Sequence, residues 1–203
     1  MSACESGCYV LKCDRTVIGS ASYHFFSPTR QVITMALMDL LWPLFFPALG
    51  AIIALAHIIW KHHAGATALG TFLAWQLAIG LGLGYAYAGF GHLAFPDQVA
   101  ASIGWPPGSP FQREVGMWDL SIGVLGLLCL KFRSMGFWTA TVIAFGIFSI
   151  GAGLGHVYEL VAHGDVSINN AGPVMYMDLF YPVLLAVLLF WYYRRLNNSF
   201  SSQ

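Results

Sequence analysis

Between two long apolar runs, the chain carries the segment GWPPGSPFQREVGMWDL, residues Gly104–Leu120. Its consecutive prolines, Pro106 and Pro107, predict an extended, rigid backbone, because each proline fixes its own φ angle and restricts the residue before it. Ser109 can then cap the next helix, with Gln112 as the reciprocal partner in a capping box. The prolines and the cap therefore fix where that helix begins. They also fix how deep its two acids, Glu114 and Asp119, lie.

The residues just before this segment, FPDQVAASIG (95–104), predict a short helix. Pro96 suits a first helical position, an acid follows it in the first turn, and a glycine ends the segment. Val99 and Ile103 lie four residues apart on one face, so the helix can lie flat in the membrane interface. Helix and proline strut together could form a lid over the outer end of the fold, and a plain interfacial loop is the alternative.

The composition indicates a membrane protein. Of the 203 residues, 58% are hydrophobic and only 9% are charged, whereas soluble domains carry roughly 25% charged residues. The mean hydropathy of +0.68 agrees, because so little polar surface cannot cover a water-soluble globule. The first partner is therefore the lipid bilayer. The formal net charge of zero disfavours nucleic acid as a partner.

Five apolar segments are long enough to cross the hydrocarbon core as helices, which takes about 20 residues each. They are roughly Asp39–Trp60, Leu69–His92, Pro110–Leu130, Gly136–Val161 and Pro173–Tyr193. Only helices and closed barrels satisfy the backbone in lipid, and these runs are too long and unbroken for barrel strands. The predicted fold class is therefore an all-α transmembrane bundle of about five spanning helices, with a short interfacial helix between the second and third.

The composition also divides the chain into three parts. Residues 1–34 form a head that is either flexible or upstream of a natural start at Met35, residues 35–196 form a single transmembrane bundle, and residues 197–203 form a polar tail. Within the bundle, Gly80 with Gly84 and Gly151 with Gly155 are pairs of small residues four apart. Such pairs allow helices to pack closely.

Five crossings would place the two termini on opposite sides of the membrane. The side opposite the amino terminus then holds five basic residues close to the spans: Lys61, Lys131, Arg133, Arg194 and Arg195. Since positive charge in short loops marks the cytoplasm, we expect a cell-membrane protein with a cytoplasmic C-terminus. Every acid from residue 39 onward falls on the other, non-cytoplasmic side, together with three histidines.

Three residues on that side are candidate metal ligands: His92, His156 and Glu159. In the string GHVYEL, His156 and Glu159 are three residues apart and share a helix face. A histidine and a carboxylate at this spacing also occur in the carboxylate-bridged metal sites of bundles, although in the reverse order. Imidazole and carboxylate suit iron, zinc or copper. An interhelical hydrogen bond that satisfies both groups is the alternative.

Three acids are candidate catalytic residues: Glu114, Asp119 and Asp178. Asp178 lies inside the fifth span, where an ionisable residue costs about 2.5–3.5 kcal/mol on insertion scales and is a functional candidate by default. Glu114 and Asp119 are five residues apart, so they point to different faces of the third helix. A carboxylate in such a position can act as a general acid or base.

The joint pattern predicts a polar site, because histidines and carboxylates from four spans reach one depth and are unstable unpaired in apolar surroundings. A purely structural network is the alternative. As an enzyme, the protein would use metal or acid–base chemistry on a quinone or another lipid that enters between helices. Otherwise it would be a non-catalytic accessory subunit of a membrane complex or an ion- or proton-handling protein. Its protein partner could be a second copy of the chain, as a homo-oligomer, or a larger membrane complex. The inner halves of the spans are almost free of polar residues, which disfavours a channel.

The chain resembles an uncharacterised family of small prokaryotic multi-pass membrane proteins in three strings: GHLAFPDQVAASIGWPPGSPFQREVGMWDLSIGVLGLL, GHVYEL and NNAGPVMYMDLFYP. The resemblance covers roughly Gly89–Pro182 and is most specific over Phe95–Gly116. It implies a membrane location and no established activity, so it supplies no catalytic residues. In bundle style alone, the chain is distantly similar to the quinone-linked DoxX-like membrane proteins and to the sterol isomerase and sigma-2 receptor group.

Overall fold

The computed structural model describes residues 28–201, with side chains for residues 40–198. This part of the chain contains helices and no strand, so the predicted all-α bundle is confirmed. The helices are α1 (Pro28–Lys61), α2 (Gly65–Trp75), a π-helical segment (Gln76–Leu83), α3 (Gly84–Ala94), α4 (Pro96–Ile103), α5 (Phe111–Leu128), α6 (Met135–Tyr158), a second π-helical segment (Glu159–His163) and α7 (Pro173–Ser201). Most of the predicted head lies outside the described residues.

Four helical stretches of the described chain are long and apolar enough to cross a membrane: Leu40–Lys61, Gly65–Ala94, Met135–His163 and Pro173–Asn198. They correspond to the first, second, fourth and fifth predicted spans. The third predicted span is α5, a helix of 18 residues that carries Arg113, Glu114 and Asp119. The length and composition of α5 therefore do not qualify it as a span in its own right, and the side on which the C-terminus lies stays a prediction.

Large apolar side chains are exposed on all four candidate spans, among them Ile52, Tyr87, Ile147 and Phe180. A helix that is apolar on both its inner and its outer face is typical of a membrane span rather than of a soluble bundle. The buried core between the helices is apolar too and includes Leu77, Phe145 and Leu185. The surface of the bundle thus suits lipid tails as its solvent.

Glycines allow α5 to pack directly against the second span. A Cβ added to Gly89 would lie 2.8 Å from the carbonyl oxygen of Gly116, and one added to Gly126 would lie 2.7 Å from the Cα of Gly82. Larger side chains at these positions would force the two backbones apart. Because Gly82 and Gly89 meet Gly126 and Gly116 in the reverse order, α5 runs antiparallel to α3.

The glycine pairs singled out in the sequence have other neighbours. Gly80 faces the hydroxyl of Tyr181, and Gly84 lies against Phe46. Gly151 and Gly155 have no atom within 4 Å of an added Cβ. The expectation that these two glycines mediate close helix packing is therefore wrong.

The π-helical segment in the second span fixes a buried polar contact beneath the connector end of the bundle, the end where α3 stops and α5 begins. The Nε2 of Gln76 donates a hydrogen bond to the carbonyl oxygen of Pro47 at 3.0 Å, and the hydroxyl of Tyr181 donates to Oε1 of Gln76 at 2.9 Å. A π-helical turn inside an α-helix often occurs at a functional site. Here it ties α1, the second span and α7 together.

The connector covers this end of the bundle. The helix α4 ends at Gly104, whose φ of 89° requires the freedom of glycine, as the sequence predicts. Asn169, in the loop before α7, donates its backbone N–H to the carbonyl oxygen of Ser102 at 3.0 Å and its side-chain Nδ2 to the Ser102 hydroxyl at 3.0 Å. The backbone N–H of Gly108 donates to Oδ1 of Asp97 at 2.8 Å. The two loops therefore form one hydrogen-bonded roof.

A carboxylate reinforces this roof from the loop before α7. The pKa of Asp165 lies below its ordinary value, because the hydroxyl and the backbone N–H of Ser167 bind its carboxylate. The backbone hydrogen bond spans 2.9 Å. A Cβ added to Gly104 would collide with the Asp165 carboxylate, so a glycine is needed there for close approach as well as for its φ angle.

Candidate functional site

A cavity of ≈ 580 Å³ lies beneath the roof, between α1, α3, α5, α6 and α7. Ligand pockets in proteins commonly measure about 300–1,000 Å³ and are mostly apolar with a few placed polar groups. Most of this lining is apolar and includes Phe46, Val115, Phe145 and Met177. The titratable and amide side chains in it include Tyr85, His92, Asp119, His156, Glu159, Asn169 and Asp178.

The structure thus brings five of the six predicted site residues to one cavity: His92, Asp119, His156, Glu159 and Asp178. Glu114 is exposed and is not part of the lining. It lies on α5 five residues before Asp119, and this spacing turns its side chain away from the cavity. Of these two acids on α5, only the buried one, Asp119, lines the cavity.

The first half of the site, which we call the α3–α5 half, consists of Gln112, His92 and Asp119. Nδ1 of His92 lies 2.6 Å from Oε1 of Gln112. Because an amide oxygen only accepts hydrogen bonds, Nδ1 carries the proton and donates it. Nε2 of His92 then faces Oδ2 of Asp119 at 3.8 Å.

This contact corrects the prediction for Gln112. The sequence predicts that Gln112 completes a capping box at the start of α5. In the structure its side chain is buried, 1% exposed, and accepts from His92 instead. Only the Ser109 part of that prediction is seen, as a hydrogen bond of 3.3 Å from the backbone N–H of Phe111 to the Ser109 hydroxyl.

The second half of the site, the α6–α7 half, repeats this arrangement with Asn170, His156 and Asp178. Nδ1 of His156 donates to Oδ1 of Asn170 at 2.8 Å. The Asn170 orientation is fixed, because its Nδ2 donates to the carbonyl oxygens of Asp165 at 2.8 Å and of His156 at 3.4 Å. Nε2 of His156 faces Oδ2 of Asp178 at 3.7 Å.

Two hydroxyl groups add to the α6–α7 half and join it to α3. The Ser149 hydroxyl donates to Oδ1 of Asp178 at 2.9 Å, and the Tyr85 hydroxyl donates to the same oxygen at 3.3 Å. Both oxygens of Asp178 therefore have polar neighbours. In contrast, Oδ1 of Asp119 is buried and has no hydrogen-bond partner among the residues that the structure describes, and the Asp119 residue is only 3% exposed.

Each half places Nε2 of a histidine beside a carboxylate oxygen at the wall of the cavity. With Nδ1 protonated and bound to the amide, a neutral imidazole presents the lone pair of Nε2 on this side. At 3.8 Å and 3.7 Å the nitrogen and the oxygen are too far apart for a direct hydrogen bond. Each half therefore brings two groups that can take up or release a proton to the cavity wall.

The predicted metal ligands do not come together. Within residues 40–198, no three His, Cys, Asp or Glu side chains are placed to hold one metal ion. His92 and His156 each face a different aspartate, and Glu159 accepts a hydrogen bond from Nδ1 of His163 at 2.6 Å at the exposed edge of the cavity. The expected pairing of His156 with Glu159 is therefore not formed.

The sequence contains a signal for the two matching halves of the site, which the spacing of His156 and Glu159 does not reveal. The string GFGH ends at His92 and the string GLGH ends at His156. Seven residues before each histidine stand Tyr85 and Ser149, whose hydroxyl groups lie 3.2 Å apart. Each histidine is also followed by an amide side chain and then, seven or eight residues later, by its aspartate.

A glycine contact also occurs in both halves of the site. The glycine three residues before each histidine packs on the residue that follows the partner aspartate. A Cβ added to Gly89 would lie 2.9 Å from the backbone nitrogen of Leu120, and one added to Gly153 would lie 2.8 Å from Cγ of Leu179. The two halves thus share this glycine contact as well as the order histidine, amide, aspartate along the chain.

These features define a multi-pass helical membrane protein with a roofed, largely apolar cavity and two histidine–carboxylate pairs. Residues 40–198 match the family DUF6790, a family of unknown function, and the chain belongs to this family. The match agrees with the predicted membership of an uncharacterised family. No curated protein and no solved structure matches the chain, so the similarity to DoxX-like proteins stays a prediction.

Proposed function

We propose that the cavity binds a lipid-soluble molecule with a carbonyl or hydroxyl oxygen, such as a quinone, and that the two histidine–aspartate pairs exchange protons with it. The observation that carries this proposal is the unpartnered Oδ1 of Asp119. A buried polar atom without a partner costs about 1–3 kcal/mol, so such atoms are rare in a folded protein unless a ligand or water satisfies them. An apolar cavity beside it suits the apolar body of such a ligand.

The acid–base role follows from the paired geometry. A general acid or base must lie within hydrogen-bond reach of the ligand and must be able to change its protonation state. The pairs His92–Asp119 and His156–Asp178 each bring two titratable side chains together, and both pairs line the same cavity. One pair can therefore donate a proton to a carbonyl oxygen of the ligand while the other accepts a proton from a hydroxyl group of the same ligand. This exchange moves protons only, so it needs no oxidant or reductant, and a quinone would bind in its hydroxyl-bearing, reduced form to take part in it.

The orienting amides make Nε2 the functional nitrogen of each histidine. Gln112 and Asn170 hold Nδ1 protonated, which leaves Nε2 as the atom that faces the aspartate and the cavity. We therefore assign Asp119, Asp178, His92 and His156 to proton exchange. Gln112 and Asn170 act as positioning residues.

The test compares Asp119→Asn with Glu114→Gln, because both changes neutralise a carboxylate on α5 and only Asp119 lines the cavity. Each protein is purified from membranes in mild detergent, and its organic extract is analysed by mass spectrometry. We expect one lipid-soluble molecule to co-purify with the wild type and with Glu114→Gln. Its amount should fall about tenfold or more in Asp119→Asn, since a hydrogen bond to a charged group contributes about 1.5–3 kcal/mol.

Equal amounts of this molecule in all three proteins would contradict the proposal, and so would an extract that holds only bulk phospholipid. Elemental analysis of the same samples tests the metal alternative. A transition metal present at one per chain and lost in both His156→Ala and Glu159→Ala would favour a metal site. A tightly bound second membrane protein in place of a small molecule would favour an accessory subunit.

A further inference from the structure

The gap between α5 and α6 has the features of a lateral opening. The two helices touch through Trp118 and Phe148, whose ring centroids lie 5.3 Å apart. Towards the connector end from this contact, the cavity lining from α6 includes Gly151 and Gly155. Both glycines are exposed, and neither has an atom within 4 Å of an added Cβ.

The lining on the α5 side of this gap is one helical stripe: Phe111, Val115 and Asp119. These residues are four apart, so they lie on one face of the helix. Asp119 is at the inner end of the stripe and Phe111 at the outer end, where it is 47% exposed. A molecule that enters between the two helices therefore moves along an apolar wall towards the buried carboxylate.

Helix packing does not explain why α6 has glycines here. Glycine lowers helix stability by roughly 0.5–1 kcal/mol relative to alanine. At Gly89 and Gly116, the close contact between the two backbones explains why glycine is present. At Gly151 and Gly155, no atom of the described part of the chain lies within 4 Å of an added Cβ. Small residues alone do not define a site, but this gap leads to Asp119, whose residue is 3% exposed and whose Oδ1 has no partner.

We propose that Gly151 and Gly155 keep open a window between α5 and α6, through which the lipid-soluble ligand enters the cavity from the bilayer. This inference rests on the proposed function of the cavity. The roof blocks the alternative route from water, because α4 and the loop before α7 are hydrogen-bonded to each other across it. The window lies within the candidate span Met135–His163, so we expect lipid to surround it.

The test measures access to the cavity with a membrane-soluble carbene probe, a diazirine-substituted benzene, in vesicles that contain the full chain. After irradiation, mass spectrometry maps the labelled residues. Tyr85 and Met177 report on the cavity, which both line, and Ile59, which is 71% exposed, reports on the outer surface. We expect label at all three residues in the wild type.

The double variant Gly151→Leu/Gly155→Leu should lose label at Tyr85 and Met177 several-fold and keep it at Ile59. Gly136→Leu is the matched control, because Gly136 is on the same helix, is exposed and has nothing within 4 Å of an added Cβ, yet does not line the cavity. It should label like the wild type. Thermal unfolding of all three proteins in detergent checks that each is folded.

Unchanged cavity labelling in the folded double variant would overturn the window, and so would an equal loss in the Gly136→Leu control or a wild-type cavity that takes up no label. None of these results alters the comparison of Asp119→Asn with Glu114→Gln. Failure of the window can therefore be told apart from failure of the proposed function.

Discussion

The α3–α5 half and the α6–α7 half of the site have the same parts and differ in one respect. Each has an amide that binds Nδ1 of a histidine and a carboxylate that faces Nε2. In the α6–α7 half, the carboxylate of Asp178 also accepts from Ser149 and Tyr85. In the α3–α5 half, Oδ1 of Asp119 accepts from no protein group that the structure describes.

This difference indicates that the two halves have different roles, one mainly structural and one in ligand binding. Buried charged groups contribute to a stable fold only when their hydrogen bonds are complete. Asp178 meets that condition and holds α3, α6 and α7 together, so its role is partly structural. Asp119 does not meet this condition, because its Oδ1 has no partner among the described residues. We propose that the ligand supplies this partner. Substitutions at matched positions of the two halves separate stability from binding.

The largest difference is expected between Asp178→Ala and Asp119→Ala. Asp178→Ala leaves His156, Ser149 and Tyr85 without their common partner, and removal of one member of a buried pair typically costs about 3–5 kcal/mol. Asp119→Ala removes only the 3.8 Å contact of Oδ2 with Nε2 of His92, because Oδ1 has no partner among the described residues, so we expect a smaller cost of about 1 kcal/mol. The measurement is thermal unfolding in detergent. Equal losses of stability would show that the two halves are not specialised.

A smaller difference is expected between the positioning amides. Asn170→Leu leaves the carbonyl oxygen of Asp165 and Nδ1 of His156 without the Asn170 side chain as their partner, which we expect to cost about 2–3 kcal/mol. Gln112→Leu deprives only His92, at about 1 kcal/mol. Gln98→Leu, an exposed position on α4, serves as the control with no loss in the same unfolding assay. A Gln112→Leu loss as large as that of Asn170→Leu would contradict this ranking.

The smallest effects are expected from the two hydroxyl groups that bind Asp178. Ser149→Ala should cost about 1 kcal/mol, and Tyr85→Phe should cost less, because its hydrogen bond is longer, 3.3 Å against 2.9 Å. The double variant should lose more than the sum of the single losses, since Asp178 then retains only His156. Simple additivity of the unfolding free energies would argue against a shared network.

The helices of this fold can be predicted from the sequence, because long apolar runs and proline or glycine stops are local signals. The connector helix α4 and its glycine stop follow from residues 95–104 for the same reason. The placement of α5 is harder to predict from the sequence, because its charged side chains reduce its hydropathy while its glycines pack it against the second span. That packing is a property of two helices and is not visible in either one.

The residues of the cavity can be predicted only in part. Polar side chains at one depth indicate a site, but which groups pair depends on how α3 meets α5 and how α6 meets α7. The spacing of His156 and Glu159 suggests a shared face, and both side chains do line the cavity. Their partners differ, however, because Nδ1 of His156 binds Asn170 and Glu159 binds His163, and helical spacing alone does not decide this. The sequence around Gln112 suggests that its side chain caps α5. In the structure, the side chain binds His92 on a neighbouring helix instead.

The central claim is that both histidines carry their proton on Nδ1 and present Nε2 to an aspartate at the cavity wall. The most direct measurement is nitrogen NMR of the full chain with ¹⁵N-labelled histidine, with His92→Gln and His156→Gln used to assign the signals. We predict protonated Nδ1 for both residues, and Gln112→Leu should change the signal of His92 while that of His156 stays the same. An unprotonated Nδ1 on either histidine of the wild type would contradict this account.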